Sequence, residues 1–334
     1  MKLIIQIPAL NEEQTLPVTL KDLPQKIEGI DEIETLIISD GSTDRTVEVA
    51  KQLGVNHIVK FNQTRGLARA FSAGLDACLR LGADIIVNTD ADNQYQGRDI
   101  IKLVRPILED KASMVVGCRD IDHIEHFSEN KKRLQKLGSW VVRQLSNTDV
   151  PDTTSGFRAY SREAALKLNV VSDFTYTLET IIQAGNKDIS INHVAIGTNE
   201  KLRESRLFTS LTDYLKRSVP SIIRIYAMYQ PLRVFFYAGL SVMGLGCLIS
   251  LRFVISYIIN PSVSRHIQSL ILAAVLFIIG FQIVVIGLVS DIIAANRKLI
   301  EDVLYRIKRL ELPFSREEKR HSAANKNSQG SKQH

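Results

Sequence analysis

Asn88-Thr89-Asp90-Ala91-Asp92-Asn93-Gln94 closes an apolar, β-branched run, Ala83-Asp84-Ile85-Ile86-Val87. The run reads as a buried strand that ends where polar residues and then Gly97 take over. Side chains two positions apart on an extended chain share a side, so Asp90 and Asp92 bring two carboxylates together at the mouth of this strand. Like charges held together there call for a neutralising partner, and a divalent cation supplies one. Mg²⁺ or Mn²⁺ takes few protein oxygens and completes its shell with substrate phosphates. The triplet therefore points to a metal–diphosphate site, with a solvated acidic turn as the competing reading.

Working outward, the same alternation of apolar strand, polar loop and helix repeats. Leu3-Ile4-Ile5-Gln6-Ile7 predicts a first strand ending at Pro8, with a helix opening near Gln14. Asn11 and Glu12 lie between them and either cap that helix or line a cleft at the carboxyl edge of a parallel sheet. Thr35-Leu36-Ile37-Ile38 predicts a second strand running into Ser39-Asp40-Gly41-Ser42-Thr43-Asp44, where Asp40 is expected to be free to accept from a nucleobase or ribose. His57–Phe61 predicts a third, followed by Arg65-Gly66 and a helix over Leu67–Arg80. Four such units predict an α/β, mostly parallel, Rossmann-like sheet with its loops at one edge. Further strands are expected at Ser113–Cys118 and Ile189–Ile196, a turn over Pro151–Arg158, and a helix from Tyr176 to near Gly185. Asp152 and Glu179 read either as site carboxylates or as groups satisfying the core.

The chain has 334 residues and a net charge of +6, and almost all its long apolar runs lie after residue 231. Val234–Leu251 holds 18 residues without a charge and Ile267–Ser290 holds 24. At 1.5 Å per residue, either crosses a hydrocarbon core of about 30 Å. Basic residues gather beside these runs, which favours a membrane over nucleic acid as partner. Seven Lys/Arg in 201–233 and five in 292–309 flank them, against Arg252 and Arg265 between them. By the positive-inside rule both chain ends are then cytoplasmic. Residues 208–229 are amphipathic, as for a helix lying in the membrane interface. The three cysteines have no metal-ligand spacing and suggest no disulfide framework. The expected organisation is a catalytic domain over 1–207, an interface helix over 208–230, two spans over 231–291, a cytoplasmic amphipathic helix over 292–314 and a disordered tail over 315–334.

In order, Pro8-Ala9-Leu10-Asn11-Glu12, Ser39-Asp40-Gly41-Ser42-Thr43-Asp44, Asp90-Ala91-Asp92-Asn93-Gln94, Gly117-Cys118-Arg119, Asp152 with Ser155-Gly156-Phe157-Arg158, and Ser205-Arg206 resemble family 2 glycosyltransferases of GT-A fold. The nearest branch looks like the dolichyl- or polyprenyl-phosphate sugar synthases with C-terminal membrane helices. The resemblance implies a nucleotide pocket of Pro8, Asn11, Glu12, Asp40 and Arg65. Asp90 would meet the ribose–diphosphate, and Asp90, Asp92 and Gln94 would bind Mg²⁺ or Mn²⁺. Arg119 and Arg133 would hold an acceptor phosphate, and Arg206 would help hold diphosphate. Asp92, Arg119 and Arg133 are the implied catalytic set. Donor and acceptor would be a UDP- or GDP-sugar and a polyprenyl phosphate, with inversion at the anomeric carbon; a homo-oligomer is left open. A glycosyltransferase using a hydroxyl acceptor, with a carboxylate near Asp152 as base, and an idle nucleotide-binding membrane subunit are the alternatives. The usual paired Asp is Ser39-Asp40 here and the usual Gly-Lys-Gly is Thr64-Arg65-Gly66, so the nucleobase is not fixed by the resemblance.

Overall fold

A computed structural model describes residues 1–119, 148–171, 176–200, 228–259 and 267–312, with 138–140, 142–143, 146, 220 and 224 between them. Its contacts divide the chain into two units, one of residues 1–222 with 304–334 and one of residues 223–303.

The first unit is built on a sheet of seven strands among the described residues, in the order β3-β2-β1-β4-β6-β5-β7. The strands are β1 (Lys2–Ala9), β2 (Glu32–Ser39), β3 (His57–Lys60), β4 (Ile85–Asn88), β5 (Met114–Arg119), β6 (Arg158–Ser161) and β7 (Ile191–Ile196). Between them lie α1 (Leu16–Asp22), α2 (Thr46–Gln52), α3 (Leu67–Arg80), α4 (Ile100–Leu108), α5 (Arg162–Lys167) and α6 (Thr177–Asn186). All pairings are parallel except those of β6, which runs antiparallel to both β4 and β5. This is the α/β, mostly parallel sheet of a GT-A fold.

Alternation along the strands sorts the core. Leu3, Ile5, Ile7 and Val87 pack with Leu16 of α1 and Leu103 and Val104 of α4 in one buried cluster. Gln6 and Ile38 face the other way, where Gly74 lets α3 approach closely. Each fully buried Leu or Ile contributes about 1.5–3 kcal/mol.

Two boundaries differ from the sequence reading. Pro8 lies inside β1, because alternate residues of β1 face β4 and that ladder ends with Thr89 N donating to the Gln6 carbonyl, before Pro8's missing N–H would be needed. The turn expected over 151–158 gives way to β6, whose first residue, Arg158, is fully buried. An arginine opening a four-residue buried strand does not look like a strand. It is tolerated because its guanidinium donates to the Ser155, Thr177 and Thr153 carbonyls and to the Thr180 hydroxyl, at 2.6–2.9 Å.

The second unit contains α7 (Pro231–Ile259) and most of α8 (Ile267–Glu311). Both are long and apolar enough to cross a membrane. A Cβ on Gly239 would come within 2.7 Å of the Gly280 carbonyl, and Gly246 lies against Ala273. The register falls on one helix as it rises on the other, so the two form an antiparallel hairpin with touching backbones. The second expected span and the amphipathic segment after it are one continuous helix to Glu311. The interface helix over 208–230, save Pro220, Arg224 and 228–230, and the tail from 315 lie outside the described residues.

Candidate active site

The carboxyl ends of β1, β2, β4 and β5 share one edge of the sheet, and the sequence motifs are the loops that leave it. The first two loops are stitched together. Asn11, at φ 57°, accepts the Thr43 N–H on Oδ1 at 2.8 Å, and its own N–H donates to Ser42 Oγ at 3.1 Å. The Glu12 N–H donates to Thr46 Oγ1 at 2.8 Å, and Glu12 Oε2 accepts from Thr15 Oγ1 at 2.6 Å. Helix α1 starts at Leu16, whose N–H donates to the Glu12 carbonyl at 2.9 Å, so Glu12 meets both the second loop and the helix start, while the Asn11 side chain holds the second loop.

Contrary to the sequence reading, Asp40 is not free. It is buried, and its two oxygens accept the N–H groups of Arg65 and Gly66 at 2.7 and 2.9 Å. Lone pairs remain on an ionised carboxylate, but its first task is to pull the Arg65-Gly66 loop onto the end of β2. Arg65 itself is exposed and lies over the Phe61 ring at 5.1 Å.

After β4 the chain turns through Asn93, at φ 57°. That turn folds Gln94 back on Asp92, its N–H and its Nε2 donating to the two carboxylate oxygens at 3.2 and 3.0 Å. From the α1 side, Thr19 Oγ1 donates to the Ala91 carbonyl at 3.0 Å, and Asp22 accepts the Gly97 N–H. The donors gathered here are two carboxylates and an amide, all offering oxygen, which suits a hard cation such as Mg²⁺ or Mn²⁺. Among the described residues no group of three or more His, Cys, Asp and Glu is placed to hold a metal. A cation at Asp90 and Asp92 would thus draw the rest of its shell from Gln94, water and substrate.

Asp90 has a floor that the sequence did not announce. A Cβ on Gly156 would stand 3.3 and 3.4 Å from the Asp90 oxygens and 2.7 Å from the Tyr176 hydroxyl. Gly156 is pinned on both faces of its peptide. Its N–H donates to Tyr95 Oη at 3.1 Å, and its carbonyl accepts from Asn88 Nδ2 at 2.9 Å and from Tyr176 Oη at 3.3 Å. Tyr176 stacks on Phe71 at 3.8 Å, and Tyr95 on Phe157 at 5.0 Å. Burial pushes the Tyr95 hydroxyl up to about 12, so it stays protonated.

Arg119, at the end of β5, meets Asp152 two-pronged. Nε lies 2.7 Å from Oδ2 and Nη2 3.2 Å from Oδ1, and Nη2 also donates to Thr154 Oγ1 at 3.1 Å. The guanidinium sits over the Tyr95 ring at 6.0 Å, and Nη1 has no partner among the described residues. Burial raises the Asp152 carboxyl, but the Arg119 charge together with the hydrogen bonds from Arg119 and Thr154 more than offsets it and holds the group below the ordinary carboxylate range. Glu179 is buried and accepts the Val171 N–H at 3.0 Å and Gln183 Nε2 at 3.1 Å. Arg133 and Arg206 lie outside the described residues. Sequence reasoning quoted Asn88 and Gly156 within motifs and placed Tyr176 at a helix start, but gave none of the three a part in the site.

An acidic strand end, a cross-stitched pair of loops and a clamped arginine, set on one edge of a mostly parallel sheet, define a transferase of GT-A architecture. Residues 4–168 match Glycosyl transferase family 2, and residues 230–295 match the GtrB C-terminal hairpin. The chain belongs to glycosyl transferase family 2, and it is a glycosyltransferase by that membership. It is 31% identical over 217 residues to the UDP-N-acetylglucosamine–dolichyl-phosphate N-acetylglucosaminyltransferase of Methanococcus voltae, covering 58% of this chain and 83% of that one. It is 24% identical over 328 residues to a prophage bactoprenol glucosyl transferase homolog of Escherichia coli, covering 92% and 100% of the two chains. Its fold matches that of glucosyl-3-phosphoglycerate synthase from Mycobacterium tuberculosis, solved with Mn²⁺ and UDP, at a TM-score of 0.53 and 21% identity over 68% of this chain and 78% of that one.

Proposed function

We propose that this chain transfers a sugar from a UDP- or GDP-sugar to a polyprenyl phosphate at the cytoplasmic face of the membrane, inverting the anomeric centre. The observation that carries this reading is the Arg119–Asp152 clamp. A hydroxyl acceptor needs a base to take its proton. Asp152, the carboxylate for that task, is already engaged by Arg119 and held ionised below the usual range. A phosphate acceptor is an anion near neutral pH; it requires cations rather than a base, and Arg119, whose Nη1 has no partner among the described residues, supplies one. The relatives' names support the same acceptor class, since they speak of dolichyl-phosphate and bactoprenol.

In this reading Pro8, Asn11, Glu12, Asp40 and Arg65 frame the nucleotide, and Asp90, Asp92 and Gln94 hold Mg²⁺ or Mn²⁺. The bound cation would neutralise the charge building on the departing nucleoside diphosphate. Arg206 is assigned to the same diphosphate, and Arg133 to the acceptor with Arg119. An acceptor oxygen bonds to the anomeric carbon as the bond from that carbon to the β-phosphate oxygen breaks, its electron pair leaving with the nucleoside diphosphate. The catalytic part spans residues 1–207 and the membrane part 231–291, joined by an interface helix over 208–230, with both termini cytoplasmic. Anchoring keeps the site beside a substrate that never leaves the leaflet.

The test is transfer from radiolabelled UDP- and GDP-sugars to undecaprenyl phosphate in detergent, with Mg²⁺ and then with EDTA. The expected result is a chloroform-soluble product from one donor, lost with EDTA and in Asp92→Asn. Product from none of the donors, with nucleotide binding intact, would refute the acceptor assignment.

A further inference from the structure

Just past β7 the chain returns to the acidic loop. Thr198 pairs with Tyr95 as an isolated antiparallel bridge. The next residue, Asn199, takes hold of the loop by three backbone carbonyls in succession. Its N–H donates to the Gln94 carbonyl at 2.9 Å, and its Nδ2 donates to those of Asn93 at 3.1 Å and Tyr95 at 3.5 Å. The Gly197 N–H donates to Asp99 Oδ2 at 2.7 Å, at the far end of the same loop. Asn93 sits at φ 57°, a left-handed conformation that costs a non-glycine residue, and it does so between Asp92 and Gln94.

We infer that Asn199 is a positioning residue for the donor site: its amide fixes the Asp92–Tyr95 turn, and through it the carboxylate and amide oxygens of Asp92 and Gln94. It lies 105 residues from Gln94 in sequence and meets it through the backbone carbonyl. The inference rests on the metal–diphosphate reading of that turn. Partners that orient metal-ligating groups typically affect metal affinity by about 10–100-fold. Asn199→Ala removes both side-chain bonds and keeps the backbone one. Asn199→Asp keeps the shape but turns the Nδ2 donor into an acceptor facing two carbonyl oxygens. An added negative charge acting only at a distance would tighten cation binding; a lost brace loosens it.

Two measurements on the full-length chain in detergent decide this. Hydrogen exchange should quicken at the amides of 92–96 in both variants, with β1 and β4 protected as before. Mn²⁺ titration with UDP or GDP present, followed by electron paramagnetic resonance, should give affinity weakened about 10-fold, at the lower end expected for an orienting partner. In turnover, the Mn²⁺ concentration at half-maximal rate should rise more than kcat falls. Wild-type exchange at 92–96, loosening spread evenly over the sheet, or variants that bind Mn²⁺ as wild type does would overturn the inference. A wild-type chain that binds no Mn²⁺ with either nucleotide would instead overturn the reading of the site on which the inference rests.

Discussion

Gly156→Ala isolates the floor under Asp90. The new Cβ would meet Tyr176 Oη at 2.7 Å, where ordinary contact begins near 3.4 Å, so about 0.7 Å must be found. Tyr176 cannot retreat, being fully buried with its ring flat on Phe71 at 3.8 Å. The Asp90 oxygens, at 3.3 and 3.4 Å, are the softer side, and the Gly156 peptide is held by Tyr95 and Asn88. Overpacking of this kind costs about 1–3 kcal/mol. At about 2–4 °C per kcal/mol for a domain of this size, Tm should fall by about 2–12 °C. Displacement of Asp90 by a few tenths of an ångström should lower kcat by about 4–10-fold, given that ~1 Å can cost 100-fold. Adding Tyr176→Phe deletes the obstructing oxygen and leaves Asn88 Nδ2 on the Gly156 carbonyl. The double variant should therefore be more stable and more active than the sum of the singles, with a coupling of about 0.5–3 kcal/mol. Circular-dichroism melts and turnover in detergent measure both. A Gly156→Ala chain equal to wild type, or a double variant that is merely additive, would refute the reasoning.

Asp152→Asn should destabilise by about 3–5 kcal/mol, because it leaves a buried guanidinium without its counter-charge; a folded, fully stable chain lacking only activity would point to a base instead. Glu34 should contribute to acid sensitivity at the opposite end of the sheet. Burial would raise its carboxyl, but Lys2 and His57, at 2.7 and 2.9 Å, more than offset this and lower it from 4.5. Its stabilisation is then present above the unfolded-state value and is lost as pH falls through the lower folded one, so Glu34→Gln should flatten that part of a denaturation-versus-pH curve. Ser161 caps α5 by accepting the Ala164 N–H at 3.2 Å, and Ser161→Ala should cost about 0.5–2 kcal/mol in urea denaturation, with donor KM unchanged.

Much of this protein was legible from local pattern. A β-branched run closed by Asp-x-Asp, repeated strand–loop–helix units and two uncharged runs are local facts, and strand polarity, loop edge and two helices long enough to cross a membrane follow from them by geometry. The length of α8 was harder, because an apolar span and an amphipathic helix differ in composition while sharing one hydrogen-bond ladder. Arg158 concealed β6, because a fully buried cation is read as loop until its four neutral acceptors are known. Asp40 looked free because its partners are backbone amides, which sequence does not display. Gly156 was visible as part of a motif, but its contact with Asp90 joins β4 to a loop 66 residues on. Asn199 reaches the acidic turn from beyond β7 only because β7 pairs with β5. The sequence by itself therefore determined the fold class, the motif loops and the two long apolar helices, because propensity and periodicity act over a few residues. Only the tertiary structure decided which carboxylates are ionised and engaged, what lies beneath Asp90 and what braces Gln94. Those depend on partners brought together by folding, at distances where a few tenths of an ångström change the chemistry.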